Sequence, residues 1–157
     1  MKALVMYASR HGNTRRVAEA IADGIRTFGT VDVVPIDEAP ATFSGEEDLV
    51  VLGGPTEAHG MTPAVKTYLD GLEFGALNGV PMAAFDTRLE WPRWISGSAS
   101  AGISHRLQKL GADVVVPQAS FIVEGKDPVL KPGELERAKS WGDALARTVR
   151  AEVAAAR

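Results

Sequence analysis

Cysteine is absent from the 157-residue chain, which excludes disulfides, thiolate metal sites, iron–sulfur clusters and cysteine nucleophiles together. Histidine occurs three times, without i,i+4 or carboxylate spacing, so the sequence carries no metal-binding motif. No apolar run approaches the ~18 residues needed to cross a bilayer. The opening MKALVMYASR lacks the h-region and cleavage site of a secretory signal, and a soluble cytoplasmic protein is expected. Neither sign of charge dominates: 17 basic against 20 acidic side chains offer no basic bias for nucleic acid and no acidic tail. Repeats, low-complexity linkers and composition shifts are missing too, so residues 1–157 are expected to form one domain.

What is present is an alternation of short apolar runs with segments of helical period, the pattern of parallel strands buried on both faces by crossover helices. The fold class is α/β. Strands are expected at Lys2–Ala8, Val31–Ile36, Asp48–Gly53, Val80–Phe85 and Asp113–Val123, the last interrupted at Pro117, which has no N–H for a ladder. Val17, Ile21 and Ile25 form one stripe of a helix ending near Gly29. Thr62 and Pro63 make a helix start, a hydroxyl cap followed by a ring tolerated at the first helical position. Ile103, Leu107 and Leu110 mark another helix, with His105 on its surface. Leu135, Ala138, Trp141, Leu145, Val149 and Val153 line a long closing helix after KPG. The stretch from Asp37 to Glu47 is broken by proline and glycine, and the stretch from Phe121 to Ala138 reads as a connection into the closing helix.

Ligands of open α/β sheets bind beyond the carboxyl ends of the strands, which directs attention to Ser9–Asn13, Gly54–Met61 and Asp86–Gly97. The first of these contains an electrical anomaly. A helix beginning near Asn13 favours acidic side chains in its first turn, yet Arg15 and Arg16 stand there. Ser-x-x-Gly-Asn-Thr between a strand and a helix offers free amides, the hydroxyls of Ser9 and Thr14, the Asn13 amide and a Gly12 that lets the backbone approach a ligand closely. A bound phosphate would resolve the anomaly; a tight turn with two solvated arginines also fits. Neither G-x-x-x-x-G-K-[ST] nor G-x-G-x-x-G occurs, so a single phosphomonoester suits the loop better than a triphosphate or a dinucleotide.

SRHGNT after the first strand, VVLGGPTEAHG at the third and AAFDTRLEWPRW at the fourth resemble, in order and spacing, the three flavin-mononucleotide loops of the flavodoxin family. The resemblance covers nearly the whole chain. It implies a flavodoxin-like doubly wound sheet of five parallel strands in the order 2-1-3-4-5, helices on both faces, FMN at the sheet edge and redox chemistry. Carried over by position, Ser9, His11, Gly12, Asn13 and Thr14 would hold the FMN phosphate, with Arg10 contributing backbone. His11 departs from the threonine usual in the family; its imidazole can donate one hydrogen bond or pair as a cation, which raises the question of pH dependence, and a loop histidine facing water also fits. The second loop would bring Pro55, Thr56, Glu57, His59 and Gly60 to the flavin edge. Gly60 is the residue expected to permit the positive φ of a peptide that turns over on reduction. The third would bring Asp86, Thr87, Arg88, Trp91 and Trp94, with one tryptophan stacking on the outer face of the ring.

The family is strongly acidic, whereas this chain mixes Glu57, Asp86 and Glu90 with Arg88 and Arg93 around the expected site. Opposed charges predict a less negative potential for the fully reduced flavin, because fewer net carboxylates oppose its charge. Three functions remain open: an electron carrier between a reductase and an acceptor protein; an FMN oxidoreductase acting on a small quinone or porphyrinogen-like substrate; and a cofactor-free interaction module. A phosphoacceptor receiver is disfavoured, because the places of its acidic residues read ASR and GGPTE.

Overall fold

The computed structural model describes residues 1–157. Strand β1 (Lys2–Tyr7) leads into helix α1 (Asn13–Arg26), followed by β2 (Thr30–Pro35), a 3-10 turn at Ile36–Glu38, β3 (Leu49–Glu57) and a short β4 (Gly60–Met61). Helix α2 (Pro63–Asp70), β5 (Pro81–Leu89), a one-turn α3 (Arg93–Ser96) and α4 (Ala99–Lys109) come next. The chain closes with β6 (Asp113–Val114), β7 (Ala119–Glu124), β8 (Val129–Leu130) and α5 (Glu134–Ala155).

The sheet runs β2-β1-β3-β5-β7, all parallel, which is the expected 2-1-3-4-5 order with β5 as fourth strand and β7 as fifth. The interruption expected at Pro117 is present, and two further features were not anticipated. Residues 115–118 divide the fifth strand, leaving β6 beside the start of β5 and β7 beside its end. Two short antiparallel strands pair at the carboxyl edge, β4 with β3 and β8 with β7. Strands β3 and β5 also extend four residues past their expected ends at Gly53 and Phe85, so residues expected in loops belong to the sheet.

Each face of the sheet buries its own apolar layer. Val17, Ile21 and Ile25 of α1 pack with Leu145 and Val149 of α5 against Val5, Val51 and Phe85. On the other face Val65 and Leu69 of α2 and Ile103 and Leu107 of α4 cover Met6, Leu52 and Met82. Each large aliphatic side chain so enclosed stabilises the fold by roughly 1.5–3 kcal/mol before entropy is counted. Thr62 caps α2 as expected, its hydroxyl accepting from the Val65 amide at 3.4 Å. Val153, expected on the buried stripe of α5, is 45% exposed and borders an open depression beside Met1 and Phe28.

Tyr68 of α2 donates its hydroxyl to the Pro40 carbonyl at 2.7 Å, tying down the irregular stretch after β2. Burial disfavours its phenolate and pushes the group from 10.0 up to about 12. The folded value is the raised one, so this contribution to stability is complete below pH about 10 and is lost as the pH climbs through about 12. Alkaline unfolding curves should therefore steepen in that window for the wild type and flatten for Tyr68→Phe; identical curves would contradict the assignment.

Candidate cofactor site

The carboxyl ends of β1, β3, β5 and β7 open onto a cleft of about 280 Å³, walled by Arg10, His11, Asn13 and Thr14, by Pro55, Thr56 and Glu57, by Thr87, Arg88 and Leu89, and by Val123 and Pro128. A larger depression of about 480 Å³ lies between Met1, Phe28 and the last turns of α5. It belongs to the opposite end of the strands, where no loop of the first, third or fourth strand reaches.

Gly12 precedes α1 with φ 87°, a left-handed conformation that a glycine adopts without penalty. A Cβ at Gly12 would meet nothing within 4 Å, so φ alone demands the glycine, and the space above it is open. The turn is held from within, because the Ser9 hydroxyl accepts from the Gly12 amide at 3.1 Å and the Arg15 amide at 3.4 Å. The first-turn amides of Asn13 and Thr14 donate to no protein acceptor. No acidic residue stands in that turn, and Arg15 and Arg16 are exposed on it. Unpaired amides, the positive end of a helix and open space above a glycine together form an anion cradle.

The side chains of Asn13 and Thr14 have other work. Asn13 donates to the Pro128 carbonyl at 2.7 Å, and Thr14 shares a buried hydroxyl contact of 2.8 Å with Thr87. These contacts fasten the cradle to β5 and to the β7–β8 turn, leaving the main chain to face a ligand. Leu89, Val123 and Pro128 were not expected at the site. The stretch holding Val123 and Pro128 reads as a connection, and only its Gly125-Lys126-Asp127-Pro128 punctuation hints at the β-turn that brings it back over the cleft.

Pro55, Thr56 and Glu57 lie at the end of β3 rather than in a loop. Glu57 pairs with Arg10 across the cleft at 3.1 Å. Beyond it the chain reverses through Ala58 and His59, with φ values of 45° and 72°, a two-residue hairpin turn of the kind that Asn-Gly usually supplies. Positive φ falls on these two residues and not on Gly60. Left-handed backbone costs about 1–2 kcal/mol for each residue bearing a Cβ, so strain is concentrated here. Gly97 presses against the turn so closely that a Cβ on it would stand 2.0 Å from the His59 carbonyl oxygen.

The third segment differs most from expectation. Asp86 is fully buried and does not line the cleft; its Oδ2 accepts from the Thr56 hydroxyl at 3.2 Å, the Ser98 hydroxyl at 2.9 Å and the Ser100 amide at 2.9 Å. Because β5 continues to Leu89, side chains alternate there: Thr87 is turned to the α1 face and Asp86 to the α4 face. Arg88 lines the cleft, donates through Nη1 to the carbonyls of Leu89 and Trp91, and keeps a buried Nε without a partner. Trp91 and Trp94 are 56% and 85% exposed on the segment that follows, neither of them lining the cleft. Ser98, which caps α4 through the Ala101 amide, was missed, although a serine directly before an apolar-periodic run is a readable cap signal.

The sequence model of the family described as "Flavodoxin" matches residues 5–141. The chain belongs to the flavodoxin family. A flavodoxin of Clostridium saccharobutylicum is 24% identical over 96% of this chain and 98% of its own length. An NAD(P)H dehydrogenase (quinone) of Azorhizobium caulinodans is 36% identical, over 54% of this chain and 55% of its own. Among solved structures, a flavodoxin from the domain Archaea superposes with a TM-score of 0.74 at 25% identity, over 96% of this chain and 99% of that one. The family is one of flavin proteins. No helix of the chain is long and apolar enough to cross a membrane.

Proposed function

We propose that residues 1–157 form one FMN-binding flavodoxin-like domain that carries electrons, in the cytoplasm, between a reductase and an acceptor protein. The observation that carries this reading is the pair of unpaired amides at Asn13 and Thr14 above the open side of Gly12. With Ser9 and the main chain of Arg10 and His11, they supply the donors a phosphate dianion requires, and the positive helix end favours its charge. Thr87 and Arg88 line the cleft farther along, where a polyol chain would find donors and acceptors. At about 280 Å³ the cleft is small for an entire cofactor, so the flat ring would lie at its mouth. There the Glu57–Gly60 turn would border one edge, and Trp91 or Trp94 would lose exposed apolar area by covering a face. When bound, the flavin supplies reversible uptake of electrons; the protein binds it, orients it and shields it from water.

Two carboxylates of the segments around the cleft are paired, Glu57 with Arg10 and Glu90 with Lys131. Neither therefore opposes negative charge on the reduced ring at full strength. Potentiometry of the FMN-loaded protein should give a less negative second reduction step than strongly acidic flavodoxins show, and an equally low value would contradict this.

The decisive experiment is a visible spectrum of the purified protein after incubation with FMN and gel filtration. Flavin bands that travel with the protein support the reading. Free flavin eluting separately would favour the cofactor-free module. A second reading, a quinone oxidoreductase, is favoured by the 36% identity to the quinone dehydrogenase over half the chain. Rapid NAD(P)H-dependent quinone reduction by the loaded protein would select it over the carrier.

A further inference from the structure

Asp86 is a fully buried carboxylate that the proposed chemistry does not use. Such a group destabilises a fold unless hydrogen bonds replace its hydration. Here the replacement is lopsided: Oδ2 accepts three hydrogen bonds and Oδ1 none. The three donors come from separate places, the end of β3 at Thr56, the residue before α4 at Ser98, and the first turn of α4 at Ser100. The Thr56 hydroxyl, besides donating to Asp86, accepts from the Ala99 amide at 2.9 Å. One carboxylate oxygen thus joins the strand that enters the strained turn to the helix that follows the tryptophan segment. Gly97, one residue before Ser98, touches the turn itself at His59. Strained backbone persists only where its surroundings over-determine it, and these contacts are what surround Ala58 and His59 from the α4 side.

We infer that Asp86 is a positioning residue, whose carboxylate clamps the Thr56–Gly60 turn against the start of α4 and so holds the left-handed Ala58–His59 edge where a flavin ring would meet it. The inference rests on the flavin reading for its consequence, but the clamp exists without a ligand. Asp86 acts through Thr56, Ser98 and Ser100, and touches no cofactor itself.

The test compares Asp86→Ala and Asp86→Asn in the full chain, with riboflavin and FMN as probes. Riboflavin has no phosphate and reports the ring side of the site alone. Asp86→Ala should weaken both flavins by a common factor of about tenfold or more. In the flavin-free protein it should also shift the backbone couplings and carbon resonances of Ala58 and His59 away from positive φ. Asp86→Asn should restore most of both, since its carbonyl oxygen can take the three hydrogen bonds at Oδ2 while its NH2 occupies the place of the unpartnered Oδ1. Riboflavin affinity within twofold of wild type in Asp86→Ala, with Ala58 and His59 unshifted, would overturn the inference, as would Asp86→Asn behaving no better than Asp86→Ala. Should Asp86→Ala fail to fold, Ser98→Ala, which removes one of the three donors at a residue outside the cleft wall, carries the same two measurements, weaker binding of both flavins with shifted resonances supporting the clamp and unchanged values overturning it. If the wild type binds neither flavin, the flavin reading fails, and the resonances of Ala58 and His59 still decide the clamp.

Discussion

Gly142→Ala should lower the unfolding free energy by about 3 kcal/mol, the upper end of the usual range for overpacking. Helices α1 and α5 cross at Gly24 and Gly142, and a Cβ on Gly142 would stand 2.1 Å from the Ile21 carbonyl oxygen. That neighbour is backbone, bonded into α1, and no rotamer change can move it aside. The helices must separate, which opens the contact among Ile21, Ile25, Leu145 and Val149 along the same seam. Gly24→Ala meets the Lys139 carbonyl oxygen at 2.1 Å and should behave alike. The double variant should lose less than the sum, because helices already parted by one methyl leave room for the other. Urea unfolding measures all three; a Gly142→Ala loss below about 0.5 kcal/mol, the usual range for a surface substitution, would show that the crossing is not tight.

FMN should bind about a thousandfold more tightly than riboflavin. The two ligands differ only in the phosphate, and the cradle offers it at least two main-chain donors that no protein group uses, at Asn13 and Thr14. Hydrogen bonds to a charged group contribute about 1.5–3 kcal/mol each, and a combined ~4 kcal/mol is a factor of about a thousand. Added salt should weaken FMN and leave riboflavin unchanged, since only the dianion is screened. Gly12→Ala should shrink the difference, because φ 87° is unfavourable for alanine by about 1–2 kcal/mol although nothing stands in the way of its methyl group. Calorimetric titration of both ligands at two ionic strengths provides the check, and equal affinities would remove the phosphate from the account of this loop.

The turn around Gly12 was legible in the sequence because it is local. Strand, Ser9, Gly12 and helix follow one another within a few residues, and the first turn of the helix carries two arginines and no acidic residue. Its side-chain geometry was not legible: Asn13 and Thr14 turn to Pro128 and Thr87, partners 115 and 73 positions away. Asp86 shows the same limit more sharply. As the apparent first residue of a loop it reads as a ligand contact, and four more residues of β5 reverse that by turning it to the other face of the sheet.

By itself the sequence determined the α/β class, the apolar stripes that bury the helices, the Thr62 cap and the glycine turn into α1, all of which follow from periodicity and neighbouring residues. Tertiary structure alone decided where β3 and β5 end, which residues carry positive φ in the turn, that the β7–β8 hairpin closes the cleft, and that α1 and α5 meet at two glycines. The division has a physical cause. Propensity and capping act over a few residues, whereas strand ends, strained turns and helix crossings are set by partners that the folded chain brings together from far apart.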